Sequence, residues 1–393
     1  MSASALNIAV IGNGIAGAAA TLFLRRAGHD VTTFEQSEAD APAGAGLLLQ
    51  PPALAVLRAA NFDQEICALG EPVNHISAVF AASNRAVRLD YPQGVGTTPA
   101  CGIQREALIR VLRQAAGSGT RWSTGIARVD PETGIVTTTA GDAVGSFDLI
   151  VAADGARSTA RASCPELVRV DRGSSSAAIV CVLDSEDPAF RRGVMQRFHG
   201  QAHVSTWPIG IAKTGDASRL NIAMSVNAAA LSGAGVSADQ WLARIKDIHP
   251  PLWDLVREQT TPPKLLPYTF RDVETHRYVE KRIVLIGDAA HAMSPQLGLG
   301  ASMALLDAWS LASSLGEHGS VAGALAAFDA TRRPDVKGLQ QISRWVTPLF
   351  QSDSRIVAAL REQSVLAIGH SDALKRHAMA TLCKIPRGLA VAT

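Results

Sequence analysis

Three short stretches carry the residue types that could hold phosphates and a sugar: Gly12-Asn13-Gly14-Ile15-Ala16-Gly17, Asp154-Gly155 and Gly287-Asp288. Each follows an apolar, strand-like run, LNIAVI at 6–11, FDLIVAA at 147–153 and RIVLI at 282–286. In an open parallel sheet ligands lie beyond the carboxyl ends of the strands, so acids and glycines on several strand ends can converge on one extended ligand. In the first stretch, Gly12 permits a tight turn, Gly14 lets the backbone approach a pyrophosphate, and Gly17 lets the following helix pack closely. That alanine-rich helix, ending near Arg25, Arg26 and Gly28, would turn its free N–H groups and partial positive charge toward the phosphates. A second strand, VTTF at 31–34, ends at Glu35, 18 residues past Gly17 and near the offset of an acid that binds ribose hydroxyls. Glu35 suits a free ribose 2′-OH, as in FAD or NAD, better than the phosphate of NADP; the motif by itself leaves FAD and NAD both open.

The elements around these residues extend the pattern. In this order and spacing the three stretches resemble the fingerprints of the class A flavoprotein monooxygenases, the family of the p-hydroxybenzoate, salicylate and ubiquinone-pathway hydroxylases. The resemblance continues through GAGLLLQP at 44–51, which includes Gly46, through Gln104-Arg105, and through Met293-Ser294-Pro295 to Gly298 and Gly300. It also takes in TPLFQS at 347–352 and covers nearly the whole chain, with 166–274 matching only in general layout. It implies an α/β fold: a discontinuous Rossmann-like FAD-binding domain, an inserted α+β substrate domain and C-terminal helices. It further implies that Gly12, Gly14 and Gly17, with Ile15 and Ala16 between them, pack on the FAD pyrophosphate, and that Glu35 holds the adenosine ribose. Arg105 and Asp288, the latter following Gly287, would serve the ribityl and phosphate region, and Asp154-Gly155 both FAD and NAD(P)H. Pro295 would lie beside the isoalloxazine, with the backbone from Gly298 through Gly300 to Ala301 capping its pyrimidine edge. A helix starting near Ala301 would direct its N–H groups at a ring that becomes anionic on reduction. Leu299, Ser302 and Leu306 stand where many members carry Gln, Asn and an acid, and Gln36 stands where a basic residue commonly follows the ribose acid.

The activity this resemblance implies is reduction of FAD by NAD(P)H, addition of O2 at flavin C4a, and transfer of the distal hydroperoxide oxygen to a small aromatic or polyketide-like organic substrate. The flavin carries the hard chemistry, which agrees with the lack of an obvious acid–base pair. No second G-x-G-x-x-G segment is present to hold a nicotinamide. The rival readings are a related flavin reductase or dehydrogenase without oxygen insertion, and a non-catalytic flavin-binding protein. The W-x-W-x-I-P signature of flavin halogenases is missing, and Ser158 and Ser302 lie in no G-x-S-x-G elbow.

Composition agrees with this reading. A chain of 393 residues can bury two lobes and a large cofactor. Its 37 basic and 35 acidic residues leave a net charge of +2, with no run of like charge to grip nucleic acid. Five scattered cysteines form no C-x-x-C pair or metal-like spacing, so no metal is expected. The apolar stretch at 5–24 lacks a preceding Lys or Arg and is interrupted by glycines, unlike an export signal or an integral membrane segment. A cytoplasmic monomer or homodimer is expected.

Since the nucleotide-binding segments lie far apart, the cofactor lobe must be discontinuous: 1–72, 98–165 and 275–345, with 73–97 and 166–274 forming the substrate lobe and 346–393 a helical tail. Within the substrate lobe, residues 197–207 read as one strand with Arg197, His203, Ser205 and Trp207 on one face and Phe198, Val204 and Thr206 on the other; which face lines the pocket stays open. Ser237 with Gln240 forms a capping-box pattern at a helix start. His291 reads as a structural residue near the cofactor, and the leucine and alanine stripe at 301–328 as core.

Overall fold

The computed structural model describes residues 5–39, 44–92, 99–231, 236–259, 263–352, 354–384 and 389. At its centre the strand Asn7–Ile11 is flanked in parallel by Asp30–Phe34 and Leu149–Ala152, and the latter pairs in parallel with Ile283–Leu285. Thr120–Arg121 extends one edge of this six-stranded sheet and Val279–Glu280 the other. The strands Leu149–Ala152 and Ile283–Leu285 are buried throughout and apolar without alternation, as helix-covered parallel strands must be. Register places Ile11 beside both Phe34 and Ala152, and Ala152 beside Leu285. The residues that follow, Gly12, Glu35, Ala153 and Ile286, therefore leave the sheet along one edge. Helix Ile15–Arg26 packs against this sheet with Ala18, Ala19 and Ala20 fully buried, and Phe23 meets Trp309 of helix Gly300–Glu317 edge to face at 5.4 Å.

A second, seven-stranded sheet runs in the order Leu266–Thr275, Val168–Asp184, Arg219–Asn227, Ala202–Pro208, Gly193–His199, His75–Phe80 and Arg85–Asp90. One of its faces buries Ile179, Ile222 and Met224 with Trp241, Ile245 and Leu252 of helices Ala238–Ile248 and Pro250–Arg257. Ser237 caps the first of these helices through the expected capping box with Gln240. The other face looks toward a small sheet containing Gly46–Leu49, Ala100–Gln104 and Glu71–Val73. The remaining three-stranded sheet comprises Ala143–Ser146, Ile135–Thr138 and Ile126–Val129.

One expectation changes. Residues 197–207 are not one strand: Gly193–His199 and Ala202–Pro208 form a hairpin in which His199 pairs with Ala202 across Gly200 and Gln201, with Gly200 at φ 56°. The turn shifts the parity, so Phe198, His203, Ser205 and Trp207 share a face while Arg197 lies on the other and donates to the Ile248 carbonyl at 2.8 Å. Helix Val321–Gln351, which contains Pro334 and Pro348, is followed by Arg355–His370 and Asp372–Cys383. The tail at 385–388 and 390–393 lies outside the described residues.

Candidate functional site

The common edge of the parallel sheet opens into a cleft of about 570 Å³. Gly12, Gly14, Ile15, Ala16, Glu35, Gln36, Arg105, Asp154, Gly155, Asp288, Gly300 and Ala301 all line it. The glycine turn is built by backbone contact. Gly12 has φ 93°, and a Cβ there would stand 2.6 Å from the Ala153 carbonyl oxygen. Gly17 lies behind the cleft, and a Cβ on it would come within 1.9 Å of the Gly12 oxygen, so any side chain would drive the helix off its turn. Gly14, Gly155 and Gly300 differ: a Cβ on each would meet nothing within 4 Å, which leaves their backbone bare.

Two helix N-termini arrive here without a side-chain cap or a first-turn acid, Ile15–Arg26 after Gly14 and Gly300–Glu317 after Leu299. Their free N–H groups and partial positive charges give the cleft two anion-seeking points. Glu35 is held firmly, Oε2 accepting from Asn13 N–H at 2.7 Å and Oε1 from Ser37 N–H at 2.9 Å. Behind it, Arg113 donates twice to the Asn13 carbonyl and lies over Trp122. Burial draws the Arg113 guanidinium below its ordinary range, with Glu35 pulling the other way. Asp154 accepts from the N–H groups of Thr159 and Ala160 through Oδ2, while its buried Oδ1 has no partner among the described residues. Asp288 opens the short helix Asp288–His291 and is exposed. Bare glycine backbone, two uncapped helices and an unpartnered carboxylate oxygen along one cleft fit an elongated dinucleotide with polar ends.

The other expected residues lie around the cleft instead of lining it. Gly287, at φ 58°, is wedged between two helices; a Cβ there would meet Ala16 Cβ at 2.9 Å and Ala304 Cβ at 3.6 Å. Gly46 turns its N–H toward Asn221, leaving its neighbour Leu47 in the cleft. Pro295 opens a short 3-10 turn that ends at left-handed Gly298, which abuts Gln50 and Leu48.

Sequence reasoning missed the network that holds these parts together. Asp307, fully buried, accepts from Gly287 N–H at 2.8 Å and faces His291 Nε2 at 2.6 Å through Oδ2, while Oδ1 accepts from Arg332 Nε at 2.9 Å. Burial opposes ionisation of Asp307, but His291, Arg332 and the Gly287 N–H prevail and hold its carboxyl below the ordinary range. His291, 2% exposed, has the structural setting expected of it. Arg161 makes a second latch, donating to the carbonyls of Ala289 and Ala156 and to Asp171, so it ties the Asp154 turn to the Asp288 turn. Asp307 sits within a helix whose pattern reads as core, and only the fold reveals its partners.

Comparison with known proteins agrees with this geometry. The model of a family described as FAD binding domain matches residues 5–343. Kynurenine 3-monooxygenase of Salinispora tropica is 30% identical over 367 residues, covering 86% of this chain and 78% of that protein. Salicylate hydroxylase of Pseudomonas putida is 28% identical over 408 residues, covering 90% and 88%. Among solved structures, Klebsiella pneumoniae HpxO complexed with FAD and uric acid superposes with a TM-score of 0.81 at 19% identity, over 97% of this chain and 98% of that one. The glycine turn, the acids at the strand ends and these similarities agree, and the chain belongs to the class A FAD-dependent monooxygenases.

Proposed function

We propose that this FAD-dependent, NAD(P)H-consuming monooxygenase inserts one atom of O2 into a small aromatic or polyketide-like compound bound between the cofactor cleft and the seven-stranded sheet. The observation that carries this reading is the convergence of three strand ends and two uncapped helix N-termini on a single cleft. Family members named for kynurenine and salicylate point to an aromatic ring. FAD, when bound, supplies the activation of oxygen after reduction by NAD(P)H.

The chain's own residues bind and orient. The N-terminus of Ile15–Arg26 meets the pyrophosphate, with Gly12 and Gly14 permitting the approach and Gly17 the close packing behind it. Glu35 accepts from the adenosine ribose, with Gln36 beside it, and Arg105 and Asp288 serve the phosphate and ribityl groups. Asp154-Gly155 adds an acceptor that no other group among the described residues satisfies. Gly46 leaves room for the Ile209 and Asn221 side chains, and Gly287 for Ala16 and Ala304. Pro295, Gly298, Gly300 and Ala301 would border the isoalloxazine, where the N-terminus of Gly300–Glu317 would favour negative charge. The cofactor lobe comprises 1–72, 98–165 and 275–345, the substrate lobe 73–97 and 166–274, and the enzyme works in the cytoplasm as a monomer or homodimer.

The test is a panel of small aromatics and polyketide-like compounds with the FAD-loaded enzyme under 18O2, following NAD(P)H oxidation and the mass of each product. A compound that speeds NAD(P)H oxidation and gains one labelled atom is expected. Stimulated oxidation in which no compound acquires label would show a reductase instead.

A further inference from the structure

We propose that Trp207 and Asn221 form a two-donor specificity site that takes an oxygen acceptor attached to the substrate ring, such as a carbonyl or carboxylate. This rests on the aromatic-substrate reading above and narrows it. Trp207 and Asn221 are direct partners on the antiparallel strands Ala202–Pro208 and Arg219–Asn227, so their side chains leave the same face. That face looks toward the cofactor side: Asn221 Oδ1 accepts from Gly46 N–H at 2.8 Å, and the residue is 0% exposed. The opposite face, carrying Ile222 and Met224, is sealed under helix Ala238–Ile248.

The Gly46 bond also orients the Asn221 amide. A flipped amide would set two donors against each other, so Nδ2 must point elsewhere. Both Asn221 Nδ2 and Trp207 Nε1 are buried and have no acceptor among the described residues. Buried N–H donors without partners are costly, and a fold that retains two of them at paired positions has a use for an acceptor there. A single oxygen has two lone pairs and can accept from both. Trp207 packs in one apolar cluster with Leu48, whose Cδ2 stands 3.5 Å from where a Cβ of Gly298 would be. Trp207 and the turn assigned to the isoalloxazine thus border one apolar cluster through Leu48. Ala223 and Val180, cross-strand partners packed in another small apolar cluster, offer a flat wall for the ring.

Two probes of nearly the same shape test this on the FAD-loaded enzyme: 2-aminoacetophenone, which carries a carbonyl, and 2-ethylaniline, which has methylene in its place. Binding is read from the change in flavin fluorescence. The wild type should bind the ketone about tenfold more tightly, since a site built to donate hydrogen bonds rejects an analogue that cannot accept them. Trp207→Phe, which removes the N–H together with part of the indole ring, should lose most of that preference, whereas the lost ring volume by itself weakens both probes alike. Asn221→Leu should also lose the preference; if it does not fold, Trp207→Phe carries the test. An undiminished preference in Trp207→Phe would overturn the proposal. Equal binding of both probes to the wild type ends the two-donor site and leaves the monooxygenase reading standing. Binding of neither, together with no labelled product from any aromatic compound, ends the aromatic reading and the proposal with it.

Discussion

Asp288, at the start of helix Asp288–His291, and Asp307, within helix Gly300–Glu317, do opposite work. Asp288 is exposed at the cleft wall, so its removal should cost ligand and little else. Asp288→Ala is expected to raise the FAD dissociation constant by about tenfold or more, on the scale of one lost charge-assisted hydrogen bond; a variant that purifies fully yellow with unchanged affinity would remove Asp288 from the site. Asp307 is fully buried and neutralises Arg332, while Gly287 and His291 also depend on it. Asp307→Asn leaves the buried Arg332 with the more distant Asp335, 3.9 Å away, as counter-charge and sets an amide N–H2 among donors, which should lower the unfolding free energy by about 3–5 kcal/mol. Urea unfolding of the flavin-saturated protein measures this, and an unchanged midpoint would contradict the latch.

At the scale of elements, the helix Ile15–Arg26 can approach the glycine turn only because Gly17 has no side chain. Gly17→Ala puts a methyl group against the Gly12 carbonyl oxygen, which is rigid backbone. Overpacking of this kind costs about 1–3 kcal/mol, and here it also turns the helix N-terminus away from the phosphates; lower stability together with poorer FAD retention is expected, and a variant with wild-type melting behaviour and full flavin content would refute the close-packing argument. The hairpin strand Ala202–Pro208 carries a different liability. His203 stacks on Phe198 at 4.7 Å and contacts the hydroxyls of Ser205 and Ser225. Burial, reinforced by the charge of Arg361, pushes its imidazole down to about 3. The unfolded chain takes up this proton near pH ~6.5, so stability is complete above that pH and declines as pH falls toward 3, by up to about 1.4 kcal/mol per unit. His249, beneath the opposite face of the sheet and pushed by burial to about 4, adds a loss of the same sign. His203→Gln should therefore remove about half of the slope that these two residues create between pH 6.5 and 5; unfolding midpoints that fall as steeply as in wild type would show that His203 is not buried neutral.

The cleft is a property of the whole molecule. Its lining comes from separate stretches around residues 12, 35, 47, 105, 124, 154, 288 and 301, which meet only when the parallel sheet and helix Gly300–Glu317 are assembled. A ligand that binds there stabilises the folded state alone, by about 2.7 kcal/mol at a hundredfold excess over its dissociation constant. Stripping FAD should lower the melting temperature by a few degrees and adding it back should restore the loss; a melting temperature indifferent to flavin would place FAD outside this cleft.

The sequence by itself determined the strand, turn and helix around Gly12, the acid at Glu35 and the identity of the fold, because each signal lies within a contiguous segment whose glycine, apolar and acidic positions have one physical use. It also supplied Asp154 and Asp288, since an acid following an apolar strand is visible without knowing which strands are neighbours. The tertiary structure alone decided which of these residues face the cleft and which, such as Gly17, Gly46 and Gly287, lie around it. It alone paired Asp307 with His291 and Arg332, 16 and 25 residues away, and Trp207 with Asn221 across two strands. Period-two reading failed at 197–207 because a turn at Gly200 and Gln201 reverses the chain and exchanges the faces. Pairings across a fold depend on register and on chain reversal, and a linear pattern of side chains encodes neither.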